Sequence, residues 1–288
     1  MNRVRFTGAS DNALLGDVHG EGGRPVLLRH GGGQTRHAWR RTAGLIGAAG
    51  MRAFAVDQRG HGDSEWVGSL AYSIADYGRD AEALALALKD RTGLAPVLVG
   101  ASLGGLAGLS ALGSSGKAPF AALILVDVTP SLNLAGLARI EGFMAADLEA
   151  GFASLDEAAE AVARYLPGRP ARISAEGLGR NLRRHADGRW RWHWDPAFIT
   201  GPRSVMSGGE AVTQALREAA RGLGVPTLLV RGAQSDLVTE AELAEFRALA
   251  PQADFVDISG AGHMVAGDRN DAFTPAVLEF LARIGPGR

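Results

Sequence analysis

The chain has no cysteine among its 288 residues. Disulfides, thiolate metal sites and a cysteine nucleophile are therefore excluded. Long hydrophobic runs are missing as well. An apolar stretch such as Ala121-Ala122-Leu123-Ile124-Leu125-Val126 falls far short of the ~20 residues that cross a bilayer. Neither sign of charge prevails: 30 Lys and Arg stand against 31 Asp and Glu, a formal net charge of −1. No broad basic field exists to hold nucleic acid or an anionic membrane, so neither is expected as a partner. The opening Met1-Asn2-Arg3-Val4-Arg5-Phe6 carries no apolar core of signal-peptide length, and a cytoplasmic location is expected. There is no internal repeat and no low-complexity tract.

What is present is an ordinary globular composition, 46% hydrophobic and 21% charged, long enough for one large α/β domain with an insertion. Residues 3–19 alternate loosely around the turn signal Asp11-Asn12 and predict two antiparallel strands. Pro25–His30, Arg52–Asp57, residues 96–101 and Ala121–Asp127 are short, mostly apolar runs, the pattern of buried parallel strands. Helical spacing lies between them, over Trp39–Ala49, Ile74–Leu88 and residues 103–113. This alternation predicts a parallel sheet covered on both faces. From 131 to 205 the rhythm lapses into helical patterns rich in Arg and Glu, with no strand of core quality. It resumes with a helix over 209–221, strand Pro226–Val230, helix Glu240–Leu249, strand Asp254–Ile258 and a last helix over 271–284. The expected organisation is a core of residues 1–130 and 206–288, with 131–205 inserted as a helical cap over the sheet's C-terminal edge.

One stretch carries chemistry: Val97-Leu98-Val99-Gly100-Ala101-Ser102-Leu103-Gly104-Gly105. A strand that runs through Gly-x-Ser-x-Gly into a helix places Ser102 at the tip of a sharp turn, and the glycines clear the space around it. A serine hydroxyl needs a base, and the base needs a partner that fixes its tautomer. Among seven histidines, His263 follows the last strand in the flexible run Ser259-Gly260-Ala261-Gly262-His263 and is the expected base. The acid should come from a strand end between the two. Asp236, past the strand 226–230, is the expected one; Asp127, at the end of the preceding strand, is the competitor. Two amides are placed to meet an oxyanion. They are Leu103 at the N-terminus of the elbow helix, and Gly32 in the loop His30-Gly31-Gly32-Gly33. His30 itself reads as a brace for that loop.

With these residues in view, the sequence resembles the α/β-hydrolase superfamily, close to its cap-bearing bacterial esterases, peroxidase-like enzymes and C–C hydrolases. Four motifs carry the likeness: His30-Gly31-Gly32-Gly33, Asp57-Gln58-Arg59-Gly60-His61-Gly62-Asp63-Ser64, Gly100-Ala101-Ser102-Leu103-Gly104-Gly105, and Gly262-His263-Met264 with Gly267-Asp268 behind it. The resemblance implies a mostly parallel eight-stranded sheet and the order Ser102, Asp236, His263 for the triad. It also implies an architectural role for the Asp57–Ser64 loop, with no metal there, and no cofactor. Serine at 102, where related epoxide hydrolases and dehalogenases carry aspartate, points to acyl transfer. The three glycines after His30 depart from the usual pattern and imply a roomy oxyanion loop.

The expected substrate is small and largely uncharged, taken by an apolar wall to which His37, Trp39, Trp192, Trp194, Val238 and Met264 are candidates. Arg36, Arg40 and Arg41 read as a solvated helix face. The chain is expected to act as a monomer or homodimer. The leading expectation is a cofactor-free serine hydrolase of a carboxylic ester or lactone. The alternatives are a C–C bond hydrolase of ring-cleavage-type diketones and a non-catalytic ligand-binding protein on a hydrolase scaffold.

Overall fold

The computed structural model describes residues 2–114, 118–165, 178–263 and 270–287. Its centre is an eight-stranded sheet with the spatial order β1-β2-β4-β3-β5-β6-β9-β10. The strands are β1 (Asn2–Thr7), β2 (Ala13–His19), β3 (Pro25–Arg29), β4 (Arg52–Val56), β5 (Val97–Ala101), β6 (Ala122–Val126), β9 (Thr227–Gly232) and β10 (Asp254–Ile258). β1 and β2 form an antiparallel hairpin, and β2 joins β4 antiparallel. From β4 to β10 every pairing is parallel.

Both faces of the sheet are covered, and the strand period sorts side chains between them. Leu27, Leu98, Leu123 and Leu125 join one core cluster, with α2 (Ile74–Thr92) and α3 (Leu103–Ser114). Val26, Leu28, Val97, Val99, Ala122, Ile124 and Val126 join the other, with α1 (Arg40–Ala48) and the C-terminal helix Thr274–Ile284. α2 starts where Ser73 and Asp76 form a reciprocal capping box, which satisfies two amides that a helix N-terminus leaves free. α3 is buried along nearly its whole length, as an all-apolar helix must be.

Between β6 and β9 the described residues add no strand to this sheet. The described residues of 131–205 form α4 (Leu134–Ala145), α5 (Leu155–Tyr165), the antiparallel hairpin β7 (Leu182–Arg184) and β8 (Trp190–Trp192), and the short helix α6 (Ala197–Thr200). The hairpin departs from the expectation of a purely helical segment. Its signal was the spacing of two in Trp190, Trp192 and Trp194, which is a strand period. Trp192 and Trp194 stack with centroids 4.8 Å apart and an interplanar angle of 8°. The chain returns through α7 (Gly209–Arg221) and, after β9, α8 (Glu240–Leu249).

Candidate active site

Ser102 lies between β5 and α3 with φ +45°. This left-handed backbone is costly for a residue with a Cβ. The turn is tight enough to dictate its neighbours. A Cβ on Gly100 would come within 2.3 Å of the Gly104 backbone, and one on Gly104 within 2.5 Å of the Arg29 carbonyl oxygen. Any side chain at either position would push α3 away from the sheet and displace the serine.

The strand register then brings a carboxylate alongside. Ala101 pairs with Val126 in the β5–β6 ladder, so the next residues, Ser102 and Asp127, leave adjacent strand ends at the same level. The Ser102 amide donates to Val126 O (3.0 Å) and the Asp127 amide to Val230 O (2.7 Å). Asp127 also has a positive φ, +52°, which turns its side chain across the end of β9. There Oδ1 accepts from the Gly232 amide (3.0 Å), and Oδ2 accepts from Ser235 Oγ (2.9 Å) and from His263 Nδ1–H (2.7 Å). The carboxylate and the imidazole are both nearly fully buried.

In this arrangement the partner of His263 is Asp127 and not Asp236. Asp236, the residue expected beside His263, points away from it and pairs with Arg139 of α4. Its backbone carbonyl abuts Gly136, where a Cβ would stand 2.2 Å from Asp236 O. Ser235, one residue earlier, is the loop's contribution, and it reaches Asp127. No hydrogen bond joins the Ser102 hydroxyl to His263 among the described residues. The two share one cleft wall, and a nucleophile commonly closes on its base only when substrate binds.

The loop after β3 supplies the opposite wall, and three histidines hold it. His30 Nδ1–H donates to Gly31 O (2.8 Å), while Nε2 accepts from the Gln58 amide (3.0 Å). His61 Nδ1–H donates to Arg59 O (2.9 Å), and Nε2 accepts from the Gly33 amide (3.2 Å). His193, carried in from beyond β8, donates Nε2–H to Gly33 O (3.2 Å) and accepts at Nδ1 from the Gly62 amide (2.7 Å). Gly33 is thus gripped at both its amide and its carbonyl. Each ring accepts from one amide, so each must be neutral. Burial pushes His61 down to about 4. Burial, with His61 close by, holds His30 and His193 well below the usual histidine value. The Gly32 amide, between these fixed points, has no acceptor among the described residues. The Leu103 amide opens α3, where a helix leaves its N–H groups without internal acceptors.

The Asp57–Ser64 loop is built on buried ion pairs. Arg36 bonds Asp57, Asp17 and Asp63, and Arg59 bonds Asp80. Burial works against the Arg36 charge, but the carboxylates of Asp57 and Asp17 outweigh it and raise its pKa. Arg36 therefore departs from the solvated face expected for it, because three carboxylates draw it inward; Arg40 and Arg41 are exposed.

Ser102 and His263 open on a cleft of about 710 Å³, its solvent-filled mouth included. Apart from Glu141 the lining is apolar, with Leu106, Leu132, Leu137, Ile140, Phe143, Met144, Phe198, Ile199, Val205, Met206 and Leu237 beside Gly32 and Leu103. The wall residues expected from sequence lie elsewhere. Trp39 is fully buried beneath the sheet, Val238 is buried beside Ser235, and His37 is half-buried in the turn before α1. Trp192 and Trp194 stand one layer behind the lining, against Phe143 and the Gly33 backbone. Met264, Gly267 and Asp268 lie outside the described residues. Sequence reasoning missed the α4 stripe that forms the wall, although Leu137, Ile140 and Met144 carry helical spacing.

A family model for the alpha/beta hydrolase fold matches residues 24–269. The chain is 32% identical over 263 residues to an esterase of Mycobacterium tuberculosis, a match covering 89% of this chain and 82% of that one. It is 29% identical over 252 residues to a 3-hydroxybutyrate-oligomer hydrolase of Cupriavidus necator, covering 83% and 82%. A crystal structure of E-2-(acetamidomethylene)succinate hydrolase superposes with a TM-score of 0.78 at 25% identity, over 97% of this chain and 98% of the other. The chain belongs to the α/β-hydrolase fold family and is a hydrolase. Among the described residues, no helix is long and apolar enough to cross a membrane.

Proposed function

We propose that the protein is a serine hydrolase of small, predominantly apolar carboxylic esters, working through an acyl-enzyme. Ser102 Oγ attacks the ester carbonyl, and His263 takes its proton. Asp127, held by Gly232 and Ser235, fixes the Nδ1–H tautomer and stabilises the imidazolium as it forms. The Gly32 and Leu103 amides receive the oxyanion. His263 then protonates the leaving alcohol, and a water activated by the same ring releases the acid. Residues 131–205 serve as the cap, with α4 forming the wall over the acyl group. The observation that carries this reading is the Asp127–His263 pair (2.7 Å), placed in the same cleft as a serine held at a nucleophile elbow.

The apolar lining supports an ester over a ring-cleavage diketone, whose carboxylate would want a cationic partner. Among the described residues, no Lys or Arg lines the cleft. Incubation with a fluorophosphonate tests the reading. Stoichiometric labelling that maps to Ser102, absent from Ser102→Ala, is expected together with loss of p-nitrophenyl butyrate hydrolysis in that variant. Esterase activity retained by Ser102→Ala would overturn it.

A further inference from the structure

One cleft residue has no place in this chemistry. α4 presents Leu137, Ile140, Glu141 and Met144 to the cleft, the i, i+3, i+4, i+7 stripe of a buried helix face. Three of the four are apolar, as such a stripe requires; Glu141 is not. It is half-buried, and its carboxylate has no hydrogen-bond or ion-pair partner among the described residues. The nearest cation in sequence, Arg139, is engaged by Asp236 and lies over the Tyr165 ring at 5.5 Å. Half-buried on an apolar wall and without a side-chain partner among the described residues, this carboxylate is open to a complementary charge bound in the cleft.

We propose that Glu141 determines the specificity of the cleft, favouring esters whose acyl group ends in a cationic alkylammonium and rejecting those that end in a carboxylate. The inference rests on the serine-hydrolase reading of the same cleft. Three observations support a cation there. Glu141 is the one acidic residue in the lining described, and no Lys or Arg accompanies it. Phe143 and Phe198 line the same space, and aromatic faces attract alkylammonium groups. The placement suits a short acyl chain. Met144 abuts the oxyanion loop, where a Cβ on Gly33 would stand 3.0 Å from its methyl carbon. Glu141 lies three residues earlier on the same stripe, about 4.5 Å back along the helix axis at 1.5 Å per residue.

The test uses three p-nitrophenyl esters whose terminal group is the sixth atom of the acyl chain: hexanoate, 5-(trimethylammonio)pentanoate and the adipate monoester. They are assayed with the wild type, Glu141→Gln, Glu141→Lys and Ser102→Ala. For the wild type, kcat/KM for the cationic ester should exceed that for the anionic one on the order of 30-fold, the scale of a unit charge pair at a half-exposed site. In Glu141→Gln the ratio should fall to within about threefold of unity, and in Glu141→Lys it should invert. A wild-type ratio near unity, or a wild-type ratio that survives Glu141→Gln, overturns the role of Glu141. The neutral hexanoate ester separates the two levels. Its turnover by the wild type and not by Ser102→Ala keeps the hydrolase reading whatever the charge series gives. No turnover of any of the three esters would remove both.

Discussion

Asp127 and Asp236 both follow strands that are neighbours in the sheet, and they differ in everything about their environment. Asp127 is buried and accepts three hydrogen bonds, one of them from His263. Asp236 is partly exposed and spent on Arg139. Such a surface pair contributes little, so Asp236→Asn should change kcat/KM by less than about threefold. In the proposed mechanism Ser235 positions Asp127: its hydroxyl donates to the Asp127 carboxylate and accepts from the Leu237 and Val238 amides. Ser235→Ala should lower kcat about tenfold with little change in KM, as expected for a group that acts on a catalytic carboxylate through one hydrogen bond. Steady-state kinetics on a short-chain ester would show it, and an unchanged kcat would count against the role. Ser102, His263 and the two glycines of the elbow were legible from sequence because local chain geometry demands them. The acid was not. Both aspartates follow strands, and only the register of β6 against β5, together with the φ of +52° at Asp127, decides which one turns toward the histidine.

At the scale of elements, the alternating strands and helices were readable because each buried strand needs an unbroken apolar run and each covering helix an apolar face. Pro25–Arg29, Arg52–Val56, Val97–Ala101 and Ala122–Val126 all form where that pattern places them. Residues 131–205 were harder to read because they face the cleft as well as the core, so their apolar side chains answer to two surfaces. The Trp residues illustrate this. They brace the wall from behind, while α4 supplies the wall itself. His193 links this segment to the oxyanion loop through Gly33 O and the Gly62 amide. His193→Ala should therefore release Gly33 and misplace the neighbouring Gly32 amide. Loss of a whole oxyanion donor costs about 10²–10³ in kcat, and a displaced one should cost about tenfold, with KM less affected. A kcat within twofold of the wild type, in a variant of unchanged melting temperature, would show that the loop holds its shape without the histidine.

For the whole molecule, the buried histidines make stability depend on pH in a defined direction. His30, His61 and His193 have folded-state values below that of an unfolded histidine. Above about pH 6.5 both states are neutral and no penalty applies. As pH falls below that point the unfolded chain takes up protons that the folded one refuses, and stability drops by about 1.4 kcal/mol per unit for each ring. For His61, whose folded value is about 4, the loss by that pH is on the order of 3 kcal/mol. Denaturant unfolding between pH 7.5 and 4.5 should show the midpoint falling only below about 6.5. A flat profile would mean that the rings are protonated in the folded state.

The central claim is that Asp127 completes the triad of Ser102 and His263. It is tested most directly by kcat/KM for p-nitrophenyl butyrate in Asp127→Asn beside Asp236→Asn. A loss of about 10³–10⁴-fold is expected for Asp127→Asn, the scale of removing a triad carboxylate, with Asp236→Asn close to the wild type. The reverse order, with Asp236→Asn inactive and Asp127→Asn retaining activity, would contradict the account.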